Sequence, residues 1–554
     1  MLKILPLKAG TLTPELSTAR FTLLLSIGLV AFYNGSLWSA VLGLPYGRSL
    51  WDVLFLASLL LFLVLLLNLL LSLIAFKHVL KPVSILILMT TAVAAYFMDS
   101  YGVMLDHTMI RNVMETDTAE VFDLINGSLL LHVALLGVLP ALFVYRARIR
   151  YRSWTGELKL KAGGILLSLA VIALIVLTFY QDYASLLRNN RHLRHLFTPV
   201  NYIYATGKYV RSTIGSGQRV IQPVGEDAVR GGLWAGKEKK TLLVLVVGET
   251  ARARNFSLNG YPRLTNPHLG REAVINFTNI HSCGTSTAVS IPCMFSNLGR
   301  AGYDDAKAKG REGLLDVLSH AGLRVLWRDN NSGCKGVCDR IETQPRAHFQ
   351  TPDQCEAGRC FDEVLLNRLD EYLAAADDDT VIVLHQNGSH GPAYYRRYPR
   401  HFEHFTPVCA TNQLQNCTQQ EIVNTYDNTI LYTDYFLSRV IQFLKDYSDR
   451  YDSAMVYVSD HGESLGEGNL YLHGLPYFMA PDEQKHVPFI VWLSEEFQRH
   501  FAIDTACLAH RTGDRFSHDN LFHSVLGLLN VETRAYDGNL DIFAGCRQQP
   551  GVNL

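Results

Sequence analysis

The feature that most constrains this chain is a set of apolar runs confined to roughly its first third. The run Leu56-Ala57-Ser58-Leu59-Leu60-Leu61-Phe62-Leu63-Val64-Leu65-Leu66-Leu67 carries no charge and one hydroxyl, Ser58. A helix that is apolar all round has no face to turn to water, so this run does not belong on a soluble bundle. A bilayer core takes about 20 apolar residues of helix. Five runs suit that length, at 21–43, 53–76, 83–100, 128–146 and 163–181. A cleavable signal peptide does not fit, because four further runs follow the first and no cleavage site is evident.

The distribution of basic residues orients these spans. Lys3, Lys8 and Arg20 precede the first, and Lys77 and Lys81 lie between the second and third. Arg146, Arg148, Arg150, Arg152, Lys159 and Lys161 lie between the fourth and fifth. Those segments belong on the cytoplasmic side. The loop at 101–127 carries Asp106, Glu115, Asp117, Glu120 and Asp123 against Arg111 alone, which suits the opposite side. Five spans that start inside leave everything from residue 182 onward outside.

The cysteines agree with that placement. All ten lie between Cys283 and Cys546. They fall into near neighbours: Cys283 and Cys293, Cys334 and Cys338, Cys355 and Cys360, Cys409 and Cys417, with Cys507 and Cys546 left as a fifth pair. Cys334–Cys338 and Cys355–Cys360 also fit zinc spacing, but the pairs are scattered rather than gathered into one four-ligand unit. Disulfides in an oxidising compartment are the better reading. The net charge of −1 says nothing by itself about partners; no nucleic-acid partner is expected.

Residues 182–240 form a bridge. Arg188, Arg191, Arg194, Lys208 and Arg211 alternate with Leu186, Leu187, Leu193, Phe197, Tyr202 and Tyr204. That pattern reads as an interfacial helix or as a solvated linker helix. Gly215, Gly217, Gly231, Gly232 and Gly236 then mark a flexible stretch.

From 241 to 554 the chain has the composition of a globular domain, and short β-rich runs alternate with helical ones. Strands are expected at 240–250, 323–327, 380–385, 454–459 and 487–492, and helices at 313–321 and 362–374. Such alternation predicts an α/β fold with a mainly parallel sheet. Ligands in such folds bind beyond the carboxyl ends of the strands. The unusual residues lie there. Glu249 follows the first strand, and Asp460-His461 follows Val456-Tyr457-Val458-Ser459. His390 lies just past the strand ending at His385, and His473 lies twelve residues beyond His461. Carboxylates with imidazoles suit Zn2+. Ser282 to Ser290 is dense in hydroxyls ahead of a short apolar segment. A hydroxyl there would meet the free N–H groups of a helix start. A plain N-cap is the simpler use of such residues, and spacing alone does not choose among Thr285, Ser286 and Thr287.

Taken together, these motifs resemble the alkaline phosphatase/sulfatase superfamily, and more closely the phosphoethanolamine–lipid A transferases. The resemblance covers nearly the whole chain. It is carried by Val247-Gly248-Glu249-Thr250, Asn255-Phe256-Ser257-Leu258-Asn259-Gly260-Tyr261, Ser282 through Ala288 with Pro292-Cys293-Met294-Phe295, Lys335-Gly336, Ser389-His390-Gly391-Pro392, and Ser459-Asp460-His461-Gly462-Glu463-Ser464-Leu465-Gly466. It implies zinc ligands at Glu249, Thr287, Asp460 and His461, with Thr287 as the nucleophile. His390 and His473 match histidines that bind the phosphoryl group or a second zinc, and would assist proton transfer. Lys335 matches a basic residue beside the phosphate. Asn112, Thr116 and Glu120 match residues that bind the ethanolamine donor, and their i, i+4, i+8 spacing would put them on one helical face. Family members commonly read Gly-Glu-Asn-Gly where this chain reads Gly466-Glu467-Gly468-Asn469.

The resemblance therefore implies a five-helix transmembrane domain at 1–181 and a periplasmic catalytic α/β domain at 241–554, in the bacterial inner membrane. It implies transfer of phosphoethanolamine from phosphatidylethanolamine to a lipid A phosphate, with polymyxin resistance as the outcome and membrane lipids as partners. The chain is expected to act as a monomer. The nearest rival is a sibling transferase acting on Kdo or heptose of the lipopolysaccharide core. A phosphatase or sulfatase would share the metal cradle but would not need five spans. A non-catalytic sensor would not need to keep a costly cluster of buried carboxylates and histidines.

Overall fold

The computed structural model describes residues 15–44, 49–116, 118–214, 221–356, 359–375 and 378–547, without the side chains of 118–120, 191 and 212–214. Lys3, Lys8, Asp117, Gly215 and Gly217 lie outside the described residues. The chain divides into two compact units: one of 1–106 with 125–206, the other of 107–124 with 207–554.

Among the described residues of the first unit, four helices are long and apolar enough to cross a bilayer: Leu50–Leu73, Leu80–Tyr101, Gly127–Arg146 and Trp154–Thr178. At 1.5 Å per residue their 20 to 25 residues match a hydrocarbon core of about 30 Å. The run expected as one helix at 21–43 is instead a bent pair, Thr18–Phe32 and Gly35–Leu42, with an angle of 61° between them. Asn34 explains the break. Its Nδ2 donates to the Leu29 carbonyl at 2.9 Å and to the Thr198 carbonyl at 3.1 Å. Its Oδ1 accepts from Thr198 N at 2.9 Å. An amide side chain that takes helix carbonyls competes with the helical ladder, and Gly35 follows it.

The second unit is built on an eight-stranded sheet. Its strands are β1 Lys240–Gly248, β2 Val274–His281, β3 Arg324–Asp329, β4 Glu342–Pro345, β5 Thr380–His385, β6 Tyr451–Ser459, β7 His486–Leu493 and β8 Phe516–Ser517. The order is β8-β2-β7-β6-β1-β5-β3-β4. All neighbours run parallel except β7, which is antiparallel to both β6 and β2. Leu243, Leu245 and Val247 point into one buried cluster and Leu242, Val244 and Val246 into the other. This alternation into two cores is why β1 reads as a continuous apolar run.

Two local expectations change. The helix foreseen at 362–374 is a 3-10 turn at Asp362–Leu366 followed by a helix at Leu369–Ala374. The buried Arg328 guanidinium takes the carbonyls of Leu365 at 3.0 Å and Asn367 at 2.6 Å, which removes them from a ladder. The Asn112–Glu120 stretch is two helices, His107–Glu115 and Thr118–Leu124. Thr116-Asp117-Thr118 favours caps over helix propagation, so Glu120 does not share one continuous helix face with Asn112. Its side chain lies outside the described residues.

Candidate active site

Register brings the acids together. Ser459 of β6 pairs with Gly248 of β1. In parallel strands the next residues, Asp460 and Glu249, therefore leave the sheet side by side. Both are fully buried, as is His461. Their ligand atoms lie within 4.8 Å of one another. Gly388 holds the neighbouring loop against them: its φ is +53°, and a Cβ there would sit 2.5 Å from the Glu249 carbonyl oxygen.

Thr287 is the first residue of the helix Thr287–Met294, directly after Ser286 in the N-cap position. Its Oγ1 lies 3.1 Å from Glu249 Oε2 and 3.4 Å from His461 Nε2. The Cys283–Cys293 disulfide closes the loop and helix that carry it. His518, fully buried, fastens the same loop: Cys283 N donates to its Nδ1 at 3.1 Å, and its Nε2 donates to Ser459 O at 3.0 Å.

The residues around the cluster fix its ligand atoms. Glu249 accepts from Thr250 Oγ1 at 2.5 Å and from Asn331 Nδ2 at 2.7 Å. Asp460 Oδ1 accepts from the backbone N–H groups of Thr250 at 3.0 Å and His461 at 2.7 Å. Its other oxygen, Oδ2, is buried without a hydrogen-bond partner. His461 Nδ1 donates to the Gly462 carbonyl at 2.9 Å, which turns Nε2 toward the carboxylates. Thr250 holds φ +59°, a strained value for a β-branched residue.

The electrostatics ask for a cation. Burial pushes the Glu249 carboxyl up, but the hydrogen bond to His461 and the nearby imidazoles outweigh it and hold Glu249 well below the usual range. Burial, with the Glu249 charge, pushes Asp460 up to about 7. Burial opposes charge on His461, yet Asp460 and Glu249 raise it to about 10. Two buried carboxylates with an orphaned oxygen and an imidazole nitrogen whose proton a cation would displace form an N/O donor set that fits Zn2+. Glu249, Asp460, His461 and the Thr287 hydroxyl are the residues that would hold it.

His473 and His390 stand beside this cluster. The ring centroids of His461 and His473 are 4.3 Å apart, and those of His473 and His390 are 5.5 Å apart. Asn112, Thr116, Lys335, His390 and His473 line one cleft with Thr287. Lys335 Nζ donates to Ser332 O and Ser332 Oγ, both at 2.9 Å.

Several residues of the site escape a reading of the sequence. Glu463 is fully buried and sits 2.8 Å from His473 Nδ1, while Tyr394 donates to its other oxygen at 2.5 Å. It lies inside the quoted Asp460-His461-Gly462-Glu463 motif, so a signal was present. Asn331, two residues beyond β3, is a further polar residue past a strand end. Glu115 lines the cleft, and its Oε2 is buried without a hydrogen-bond partner. The reversed Gly468-Asn469 pair lies in a turn where both residues have positive φ, +60° and +61°. Gly and Asn are the residues that tolerate that conformation best, so the exchange leaves the turn intact.

An α/β sheet with this acid, imidazole and hydroxyl cluster at its strand ends defines a sulfatase-type domain, and the Sulfatase family model matches residues 241–531. The model Phosphoethanolamine transferase EptA/EptB matches residues 63–214. The chain is 45% identical to phosphoethanolamine transferase EptA of Escherichia coli K12, over 87% of this chain and 88% of that protein. It is 41% identical to phosphatidylethanolamine transferase Mcr-1 of Escherichia coli, over 88% of this chain and 90% of that protein. The solved integral membrane lipooligosaccharide phosphoethanolamine transferase A of Neisseria meningitidis superposes with a TM-score of 0.93 at 38% identity, covering 97% of this chain and all of that one. This chain belongs to the EptA family of phosphoethanolamine transferases. It is a multi-pass inner-membrane protein with its sulfatase-type domain in the periplasm.

Proposed function

We propose that this chain moves phosphoethanolamine from phosphatidylethanolamine to a phosphate of lipid A, through an intermediate on Thr287. The observation that carries the reading is the cleft itself. A helix-start hydroxyl, held 3.1 Å from a buried carboxylate, shares it with two acceptor oxygens that have no hydrogen-bond partner, Asn112 Oδ1 and Glu115 Oε2. Such oxygens suit an ammonium group, and the ethanolamine headgroup supplies one beside its phosphate.

Thr287 Oγ attacks the donor phosphorus, and the bond from phosphorus to the diacylglycerol oxygen breaks. The Thr287 proton is directed at Glu249 by their hydrogen bond, and the departing diacylglycerol oxygen takes up a proton. A lipid A phosphate oxygen then attacks the same phosphorus, the bond to Thr287 Oγ breaks, and Oγ regains its proton along the Glu249 hydrogen bond. His390 and His473 stand where they can balance charge on the phosphoryl oxygens or move a proton. Bound zinc would lower the pKa of the Thr287 hydroxyl and offset charge on the phosphoryl group. Lys335 adds positive charge beside the phosphate. The added ethanolamine amine offsets a phosphate charge on the cell surface, which weakens attraction for polycationic peptides such as polymyxin.

Mass spectrometry of lipid A from cells with and without the chain tests this reading. Lipid A should gain phosphoethanolamine, and Thr287→Ala should abolish the gain. A gain on core sugars alone would assign the chain to the Kdo or heptose reaction instead.

A further inference from the structure

Arg111 is a buried arginine that the reaction above does not use. It lies on the His107–Glu115 helix, in the same compact unit as Thr287, and its side chain is only 7% exposed. Its Nη2 donates to the carbonyl of Ala288. Its Nη1 lies 2.7 Å from Asp305 Oδ1 and its Nε 3.1 Å from Glu115 Oε1.

The partner carbonyl belongs to the residue after Thr287. In a regular α-helix it would accept from the N–H of residue 292. Position 292 is proline, which has no N–H to give. The sequence thus leaves one carbonyl open in the turn that carries Thr287, and Arg111 fills it from another segment. The guanidinium fork can serve that carbonyl and two carboxylates at once, which an ammonium point charge does not reproduce.

The other end of the segment is fastened as well. Asp123, 2% exposed in its side chain, lies 2.8 Å from Arg359, 3.0 Å from Arg396 and 3.4 Å from Arg397. Arg397 Nε in turn donates to the main-chain oxygen of His390 at 2.6 Å. Between the two fastenings lie Asn112 and Thr116, which face the cleft.

We propose that Arg111 is a positioning residue for Thr287. It ties the turn bearing the nucleophile to the helix bearing Asn112, so that hydroxyl and donor headgroup share one frame. Asp123, through Arg397, ties the same segment to the His390 loop. The identity of the donor rests on the transferase reading; the coupling of the two segments does not.

The test uses the full chain in detergent with zinc, and two readouts. The first is hydrogen–deuterium exchange. In Arg111→Ala, peptides over 107–116 and over 284–294 should both exchange about tenfold faster. The second is diacylglycerol release from a fluorescent phosphatidylethanolamine. Here kcat should fall on the order of a hundredfold, the scale of a small misplacement of reacting groups, with KM changing less than about threefold. Arg111→Lys keeps the charge without the fork and should show the same kcat loss while retaining the wild-type melting temperature. Pro292→Ala in the Arg111→Ala background restores an N–H for the Ala288 carbonyl. It should recover protection at 284–294 but not kcat. Wild-type kcat in Arg111→Lys, loss of protection in one segment only, or recovery of kcat in the double variant would each overturn the proposal. If the wild-type protein released no diacylglycerol while the two segments still lost protection together, the transferase reading would fail and the coupling would stand.

Discussion

Thr287 Oγ1 lies 3.1 Å from Oε2 of Glu249, although 38 positions separate them in the chain. Glu249 is placed by the end of β1. Thr287 is placed by a loop that the Cys283–Cys293 disulfide closes and His518 fastens to the end of β6. Two independent supports thus converge on one distance. Misplacement of either costs alignment of the attacking oxygen, and that loss falls on rate rather than on folding.

Asp460 and Glu249 should govern zinc retention. Asp460→Asn keeps shape and removes charge, and so does Glu249→Gln. Each should lower zinc affinity by about ten- to a hundredfold or more, read as metal content after gel filtration at low free zinc. Chelation should lower the melting temperature of the wild-type protein, since a ligand of the folded state stabilises it. Wild-type zinc content in both variants would remove these residues from the ligand set.

Glu463 should act through His473. Tyr394 donates to one of its oxygens and the other meets His473 Nδ1, so His473 Nε2 is turned toward the cleft. Glu463→Ala removes both contacts and leaves the His473 ring without the group that orients it. Diacylglycerol release should fall about ten- to a hundredfold with zinc content retained. Full activity in this variant would show that the orientation of His473 does not limit turnover.

His518 should make stability depend on pH. Burial lowers its pKa from 6.5 to about 3. The folded state therefore holds it neutral while the unfolded chain protonates it near 6.5. Its contribution is present above pH 6.5 and is lost as pH falls toward about 3, at up to about 1.4 kcal/mol per pH unit. His518→Asn removes that proton linkage. Urea unfolding of the two proteins between pH 7 and pH 4.5 should show a shallower decline in the variant. Parallel declines would contradict a neutral buried His518.

Much of this molecule is legible along the chain. β5 spans Thr380–His385, the bounds expected around the apolar run Val381-Ile382-Val383-Leu384. The four cysteine pairs expected from spacing, with Cys507–Cys546 as the remaining pair, are the five disulfides. Both signals are local: a buried strand must be apolar on both faces, and four of the cysteine pairs lie within 10 residues and need little chain to meet. The break at Asn34 and the split between Leu366 and Leu369 were not legible, because each depends on a distant partner. Asn34 bonds Thr198, and Arg328 reaches across to the carbonyls of Leu365 and Asn367.

The same division runs through the site. The sequence by itself determined which chemistries the chain could offer: an acid after β1, an acid and a histidine after β6, and a hydroxyl-rich turn ahead of a proline-bearing helix. It also determined the apolar spans, because 20 or more apolar residues have no stable place in water. Only the tertiary structure decided that Ser459 pairs with Gly248, that β7 runs antiparallel, and that Asn331, Glu463 and Arg111 join the site. Strand register and long-range hydrogen bonds follow from how the whole sheet packs its two cores, and no local window of residues carries that information.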